Sequence, residues 1–438
     1  MGVKDLNKLI KRYAPNSSRK ATYSEFSGEV WTVDASIFLY KFSYDQESKK
    51  ANPCIDGFYQ LINRLYKYGI QPEMILDGQK PIEKANTIKE RSDLTKEKHL
   101  KVENIKKEII SLLKDKIGDN GGESGVAVGA DNADNDEFDK ILETNKMHLK
   151  EPTIVLKMDE LREAKKNIIR FDPNIYKDLT QLCKLFNVPI YRANWEADAL
   201  CTKRCNEGYA QSIMSEDSDI LFYKGNKLMR KFDWSDKIEV VDLEQLLKDL
   251  EITYDQFMDL CILCGTDYTV ETISGIGPIS AYKLIKEGLT IENIIDKIIQ
   301  SKTSTDKDLK SYKKYDLPKN MSDFDYVSAR KLVKNAHGLE NLIESRSVYD
   351  PTKIAFDELS KMMIEKCNYK QETINKHIQL WMESASPQPN NTPVKSTQPK
   401  IKLPLKLPLK SPIIKLHVET PTNNLPPIKP KIKLSIKC

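Results

Sequence analysis

Seven acidic residues stand where carboxylates could act together. Asp34, Asp77, Asp217 and Asp219 lie at the C-terminal ends of short apolar runs, in WTVDAS, EMILDG and AQSIMSEDSD. In an open parallel sheet those ends line one edge, where ligands bind. Glu196 and Asp198 open a helical segment two positions apart, and Asp267 follows a helix terminus in CGTDY. Carboxylates gathered in this way repel one another unless cations neutralise them. Oxygen ligands without His or Cys suit hard cations, Mg²⁺ or Mn²⁺. One strand-end Asp alone is as readily a helix N-cap, but EDSD puts three acids into four residues. On an ideal helix Glu196 and Asp198 diverge, so they would serve two neighbouring positions. Seven acids arriving from five segments match the needs of two cations ~4 Å apart in an in-line phosphodiester hydrolysis.

The elements that must position these acids follow from periodicity. Residues 31–36 and 73–78 read as strands, and 55–70 has apolar residues at helical spacing ending in a glycine. That βαβ pattern implies an α/β fold with a mostly parallel central sheet flanked by helices. From Lys80 to about Lys116 runs a long, highly charged helical segment. It breaks at 118–139, which holds five glycines and seven acids and reads as a flexible insert. The insert fails the ligand spacing of a calcium loop. LFNVPIYRAN reads as a strand, WEADALCTKRC as a helix beginning near Asn194, and AQSIMSEDSD as a third strand ending in acids. A helix is predicted from Tyr254 to about Cys264, stopped by Gly265, and 320–383 is predicted helical. Past Ser384 the chain carries eleven of its 21 prolines, and PKIKL occurs twice. Such a tail cannot bury a core and is expected to be disordered.

Two further patterns bear on binding. GIGP (275–278) precedes a helical segment; glycines let backbone approach a phosphate, and a helix N-terminus offers free N–H groups to it. A GxG alone is more often only a turn. Lys84 and Arg91 lie seven apart on the charged run, two helical turns, and share a face, although such runs are usually solvated.

The segments MGVKDL, VDASIFLY, ILDGQKP, NWEADALC, SEDSDIL and DLCILCGTDYTVETISGIGPISAYKLI resemble, in order and approximate spacing from Met1 to about Trp381, the motifs of the flap endonuclease-1 branch of the XPG/Rad2 nuclease family. The resemblance implies a PIN-like nuclease fold with a helical arch and a helix–two-turn–helix element. It implies metal-ligating roles for Asp34, Asp77, Glu196, Asp198, Asp217, Asp219 and Asp267, and places Gly2 beside the active site. Lys84 and Arg91 would act on the scissile phosphate, and Tyr40 would stack on a terminal base, where the residues alone leave a buried core Tyr equally open. Gly275 and Gly277 would grip duplex backbone with the help of a bound K⁺. The implied activity is cleavage of DNA 5′ flaps with 5′→3′ exonuclease activity, in replication or repair. Other branches of the family, exonuclease-1-like, excision-repair or junction-resolving, keep the chemistry and change the substrate. A catalytically silent scaffold is disfavoured, because none of the seven acids is missing.

Departures are also visible. Asp77 and Glu196 are 119 residues apart, more than a compact arch needs, and no sliding-clamp motif is visible; Gln379-Leu-Trp does not fit one. The expected organisation is 1–110 nuclease region and start of the arch, 111–150 flexible acidic insert, 151–300 internal nuclease region, 301–383 C-terminal helical part, and 384–438 tail.

Bulk properties set outer bounds. Of 438 residues, 39% are hydrophobic and 30% charged, with a net charge of +5. From Pro387 onward there are ten Lys, no Arg and one acid, Glu419, so the body is slightly acidic and the tail basic. Binding of nucleic acid must then rest on local basic patches, with the tail lysines free to add phosphate contacts or to serve as a localisation signal. The amphipathic start has no signal-peptide character, and no run approaches ~18 apolar residues. Cys201 and Cys205, and Cys261 with Cys264, lie among apolar residues without a second CxxC or nearby His, the pattern of buried thiols rather than a zinc site. An intracellular monomer working where DNA is replicated is expected.

Overall fold

The computed structural model describes residues 2–43, 51–79, 84–118, 135–166, 174–335, 340–344 and 353–385. The tail and most of the Gly/Asp insert lie outside them.

The chain opens with helix α1 (Leu6–Tyr13) and strands β1 (Ser18–Thr22) and β2 (Val30–Asp34), then α2 (Ala35–Ser43), α3 (Pro53–Lys67) and β3 (Gln71–Leu76). A helical excursion follows: α4 (Ala85–Gly118), α5 (Asn135–Thr144) and α6 (Pro152–Lys166). The chain returns through α7 (Ile175–Leu185), β4 (Ile190–Ala193), α8 (Ala197–Asn206), β5 (Ser212–Met214), α9 (Asp219–Phe222), β6 (Lys227–Arg230) and β7 (Lys237–Asp242). Helices α10 (Leu243–Leu250), α11 (Tyr254–Cys264), α12 (Pro278–Lys286), α13 (Ile291–Thr303) and α14 (Tyr326–Asn335) come next. Strand β8 (Glu340–Glu344) and helices α15 (Phe356–Cys367) and α16 (Gln371–Ala385) complete the described chain.

The strands form one sheet in the order β1-β7-β6-β5-β2-β3-β4-β8. Its five central strands, β6 to β4, are parallel, while β1, β7 and β8 close the edges antiparallel. Alternation along each strand sends neighbouring side chains into different cores. Ile75, Ile213, Leu228 and Val241 face the layer of α1, α8, α10, α11 and α12. Met74, Leu76, Met214 and Met229 face that of α2, α3, α7, α15 and α16.

The predicted βαβ unit and the helix ended by Gly265 are found with boundaries shifted by at most a few residues. Two expectations need correction. The stretch 320–383 is not wholly helical, because β8 pairs with β4 inside it. The insert expected to be flexible over 111–150 is helical at both ends. α4 continues to Gly118, and Phe138 of α5 packs with Val102, Ile105, Ile109, Ile110 and Leu113 of α4 and Ile154 and Leu161 of α6 in a separate hydrophobic core. Those α4 residues recur at three- and four-residue spacing, the stripe a helix needs in order to bury one face.

Candidate active site

Asp34 ends β2, Asp77 follows β3, Asp217 and Asp219 follow β5, and Glu196 caps α8 immediately beyond β4. Because β4, β3, β2 and β5 are parallel neighbours, their C-terminal ends bring these acids to one edge. Backbone and hydroxyl donors fix the side chains. Asp34 accepts from the Ile37 N–H (3.1 Å) and the Ser215 hydroxyl (3.0 Å), and Asp77 accepts the Ala197 N–H (2.8 Å). The Asp77 N–H in turn donates to Ser36 Oγ at 2.8 Å, and the Asp219 N–H to Asp217 Oδ1 at 3.0 Å. Helix α8 is tied to β3 by a buried ion pair, Arg204 to Glu73 at 2.7 and 3.1 Å. That pair fixes Glu196 and Asp198 relative to Asp77. Removing one partner would strand a buried charge at a cost of about 3–5 kcal/mol.

Burial sets the electrostatics. It pushes the Asp34 carboxyl up to about 7, with the charge of Asp77 adding to the effect. Asp77 and Asp217 are raised by burial as well. Asp198 and Asp219 are raised well above the ordinary range, first by burial and then by neighbouring carboxylates. Oδ1 of Asp198 and Oδ1 of Asp219 are both buried without a hydrogen-bond partner. A buried carboxylate oxygen left in that condition is costly, and a cation is the group that would satisfy it. The donors are oxygens only, which fits a hard divalent ion. Among the described residues no three of these side chains converge on one ion as they stand. A buried cation among them is the Lys84 ammonium, 2.6 Å from Glu196 and 3.5 Å from Asp267, above the Tyr268 ring at 4.7 Å. Burial alone would lower its pKa, but Glu196, Asp219 and Asp267 outweigh that and raise it.

Arg91 donates to the same Asp267 at 2.8 Å, so the predicted basic pair shares a face and a partner. Gly2 stands against the acids with φ of +83°, where a Cβ would lie 2.1 Å from Asp217 Oδ1. Tyr40 is 49% exposed and is not a core residue. Gly275 and Gly277 stand on the turn entering α12, where the neighbours of Gly275 are Lys314 and Tyr315 rather than carboxylates. Gly275 takes a φ of +83°, and a Cβ at Gly277 would meet nothing within 4 Å, leaving that backbone open to approach. All seven described cysteines are free thiols, six of them buried.

Two residues that sequence reasoning passed over support Glu196. The hydroxyls of Tyr223 (3.0 Å) and Tyr268 donate to its Oε2 and touch one another. Tyr268 directly follows Asp267, which is a usable signal; Tyr223 carries none. The loss of Tyr268 would leave a buried acceptor short of a donor, worth about 1–3 kcal/mol.

A mostly parallel α/β sheet with a carboxylate-only edge under two arch cations defines a metal-dependent phosphodiesterase of the nuclease class. The comparisons agree. Residues 1–98 match the XPG N-terminal domain and 187–267 the XPG I-region. The chain is 31% identical over 346 residues to flap endonuclease 1-1 of Paramecium tetraurelia, covering 76% of this chain and 75% of the relative. It is 27% identical over 396 residues to flap endonuclease 1 of Entamoeba histolytica, covering 86% and 87% respectively. The catalytic core of Rad2 in complex with DNA substrate superposes with a TM-score of 0.60 at 20% identity, over 87% of this chain and all of that one. The chain belongs to the flap endonuclease branch of the XPG/Rad2 nuclease family.

Proposed function

We propose that this chain cuts one phosphodiester at the base of a DNA 5′ flap, with associated 5′→3′ exonuclease activity, using Asp34, Asp77, Glu196, Asp198, Asp217, Asp219 and Asp267 to hold two divalent cations. The orphaned Oδ1 atoms of Asp198 and Asp219 among raised carboxylates carry this reading. All-oxygen donors favour Mg²⁺, with Mn²⁺ able to substitute. Bound there, the cations supply an ionised water and neutralise charge on the attacking and leaving oxygens.

The chain's own groups do the rest. Lys84 and Arg91 present fixed positive charge where the phosphate becomes more negative. The bare Cα of Gly2 leaves room beside Asp217, and Tyr40 offers a ring face at the rim. The Gly275–Gly277 turn and the N-terminus of α12 bind duplex backbone through N–H groups of Ile279 and Ser280, since Pro278 has none to give. K⁺ at this turn is part of the proposal; duplex affinity compared in K⁺ and Na⁺ checks it. The enzyme would work as a monomer in the nucleus or another compartment that replicates DNA.

The test is incubation of the full chain with labelled 5′-flap DNA in Mg²⁺, beside nicked, bubble and four-way substrates, with Asp217→Asn as control. Cleavage at the flap base that is lost in the variant supports the reading. Tight binding without cleavage of any substrate would make the acids structural and the protein a scaffold.

A further inference from the structure

Three large aromatic side chains remain exposed around the rim of the acid cluster: Tyr40 (49%), Tyr176 (47%) and Trp195 (41%). Trp195 directly precedes Glu196, and its carbonyl accepts the N–H of Gly78, the residue after Asp77, at 2.7 Å. The Asn194 carbonyl accepts from Gln79 beside it at 2.9 Å. The Trp195 backbone is therefore clamped to the strand end that carries an active-site acid. Among the described residues its indole makes no hydrogen bond or ring contact. Tyr176 opens α7, where the chain comes back from the arch. Arg192 of β4 lies over its ring at 5.7 Å, and β4 pairs with β3 through Arg192 and Leu76. Burial raises the pKa of the Tyr40 hydroxyl, Tyr176 and Asp77 add to the effect and Arg91 opposes it, so these residues lie within electrostatic reach of Tyr40.

Large aromatics are usually buried, and a cluster exposed beside a reactive centre signals a ligand. Rigid ring faces interleaved with arginines are what unpaired bases stack on, whereas bases inside a duplex have no free face to offer. Arg192 and Arg91 also supply positive charge for the phosphates that Asp77 and Glu196 would otherwise repel.

Resting on the nuclease reading above, we propose that Tyr176, Arg192 and Trp195 extend Tyr40 into a stacking platform that grips the unpaired nucleotides next to the scissile phosphate. The platform lets the enzyme tell a strand with a free single-stranded end from continuous duplex. Trp234, equally exposed at 46%, has a different explanation, because it stacks on Phe42 and lies near the Arg64 guanidinium. It serves as the control.

Binding of the full chain to fluorescent 5′-flap DNA is measured in Ca²⁺ without turnover. Trp195→Ala and Tyr176→Ala should each weaken flap binding at least ~5-fold and leave flap-less nicked duplex within about twofold, as expected when only the base-stacking contribution is lost. Trp195→Phe should keep the affinity. Flap-induced quenching of tryptophan fluorescence should vanish in Trp195→Phe and persist in Trp234→Phe. Abasic nucleotides at the flap base should erase the difference between wild type and Trp195→Ala. Equal losses on nicked duplex, unchanged flap affinity in the alanine variants, or quenching that survives in Trp195→Phe would overturn the platform. Wild-type cleavage of the flap in Mg²⁺ separates the two levels. If it occurs while the alanine variants bind normally, only the platform falls; if wild type cuts no branched DNA, the nuclease reading falls and the platform with it.

Discussion

Replacing Gly2 with alanine tests the active-site reading with the smallest possible change. A Cβ there would lie 2.1 Å from Asp217 Oδ1, 2.6 Å from Ser218 Oγ and 2.8 Å from the Asp219 amide nitrogen. The Asp217 oxygen is itself held by the Asp219 N–H at 3.0 Å, and the amide nitrogen belongs to the backbone, so neither can swing aside. The terminus cannot retreat freely either: Val3 is buried in the core and the Lys4 N–H donates to the Gly265 carbonyl at 3.1 Å. Opening the contact to ordinary van der Waals distance displaces Asp217 or the terminus by about 1.3 Å, and a misplacement of about 1 Å can cost roughly 10²-fold in rate. The φ of +83° adds about 1–2 kcal/mol of local strain for an L-residue. That strain is local and small beside the contacts of the two cores that sandwich the sheet, so global stability should hardly move. Single-turnover cleavage of 5′-flap DNA in Mg²⁺ should therefore drop about a hundredfold, with thermal unfolding within a degree or two of wild type. A Gly2→Ala enzyme that cuts within about threefold of wild type, too small a change for such a misplacement, would show that the approach of the terminus to Asp217 plays no part in catalysis.

Lys84→Met removes the ammonium that pairs with Glu196 and Asp267; turnover should fall about 10²–10³-fold while divalent-ion affinity, read by calorimetry, rises because the carboxylates lose their internal cation. Weaker ion binding would refute the competition. Asp34, at about 7 when folded against 3.8 as reference, holds its proton more tightly folded than unfolded. The contribution of Asp34 to cation-free stability should thus be complete near pH 4 and below and be lost as pH rises through about 7. Asp34→Asn should flatten that slope, which is on the order of 2–4 kcal/mol, in urea titrations run with EDTA; an unchanged slope would assign it elsewhere. Phe138→Ala should cost about 3–5 kcal/mol within the arch core, seen as lost hydrogen-exchange protection over 102–113 with the β2–β5 amides unaffected. Loss of protection throughout the sheet would mean that the arch is not a separate packing unit.

Asp34, Asp77, Asp217 and Asp219 were legible because each lies at the end of an apolar run, and an apolar run in an α/β pattern commits the next residues to one sheet edge, whereas Glu196, Asp198 and Asp267 were read from helix boundaries. Asp217 and Asp219 could be placed from SIMSEDSD alone. Their supports could not, since the Tyr223 and Tyr268 hydroxyls reach Glu196 across 27 and 72 residues, and no local pattern encodes a contact of that span. Strands β1 and β8 escaped notice for a related reason. SRKAT is mostly polar because it lies at an open edge, and ENLIE is short enough to pass as helix until its pairing with β4 decides the matter. The arch was half legible. Its apolar stripe was present at Val102, Ile105, Ile109 and Leu113, but what those residues bury against comes from Phe138, Ile154 and Leu161, beyond a Gly/Asp stretch that reads as a break.

The division between these cores says how the arch is held over the site. Its apolar residues form a cluster of their own, distinct from the two cores that sandwich the sheet. Among the described residues the ties from its foot to the acid edge include three ion pairs, Lys84 to Glu196 and to Asp267, and Arg91 to Asp267. The two cations differ in kind, since the Lys84 side chain is 11% exposed and that of Arg91 55%. Salt screens the exposed pair and leaves the enclosed one nearly untouched. Raising ionic strength should therefore loosen the arch from Arg91 outward while Lys84 stays among the carboxylates. On the roles proposed above, a phosphate entering under the arch would meet the exposed Arg91 guanidinium before the enclosed Lys84 ammonium.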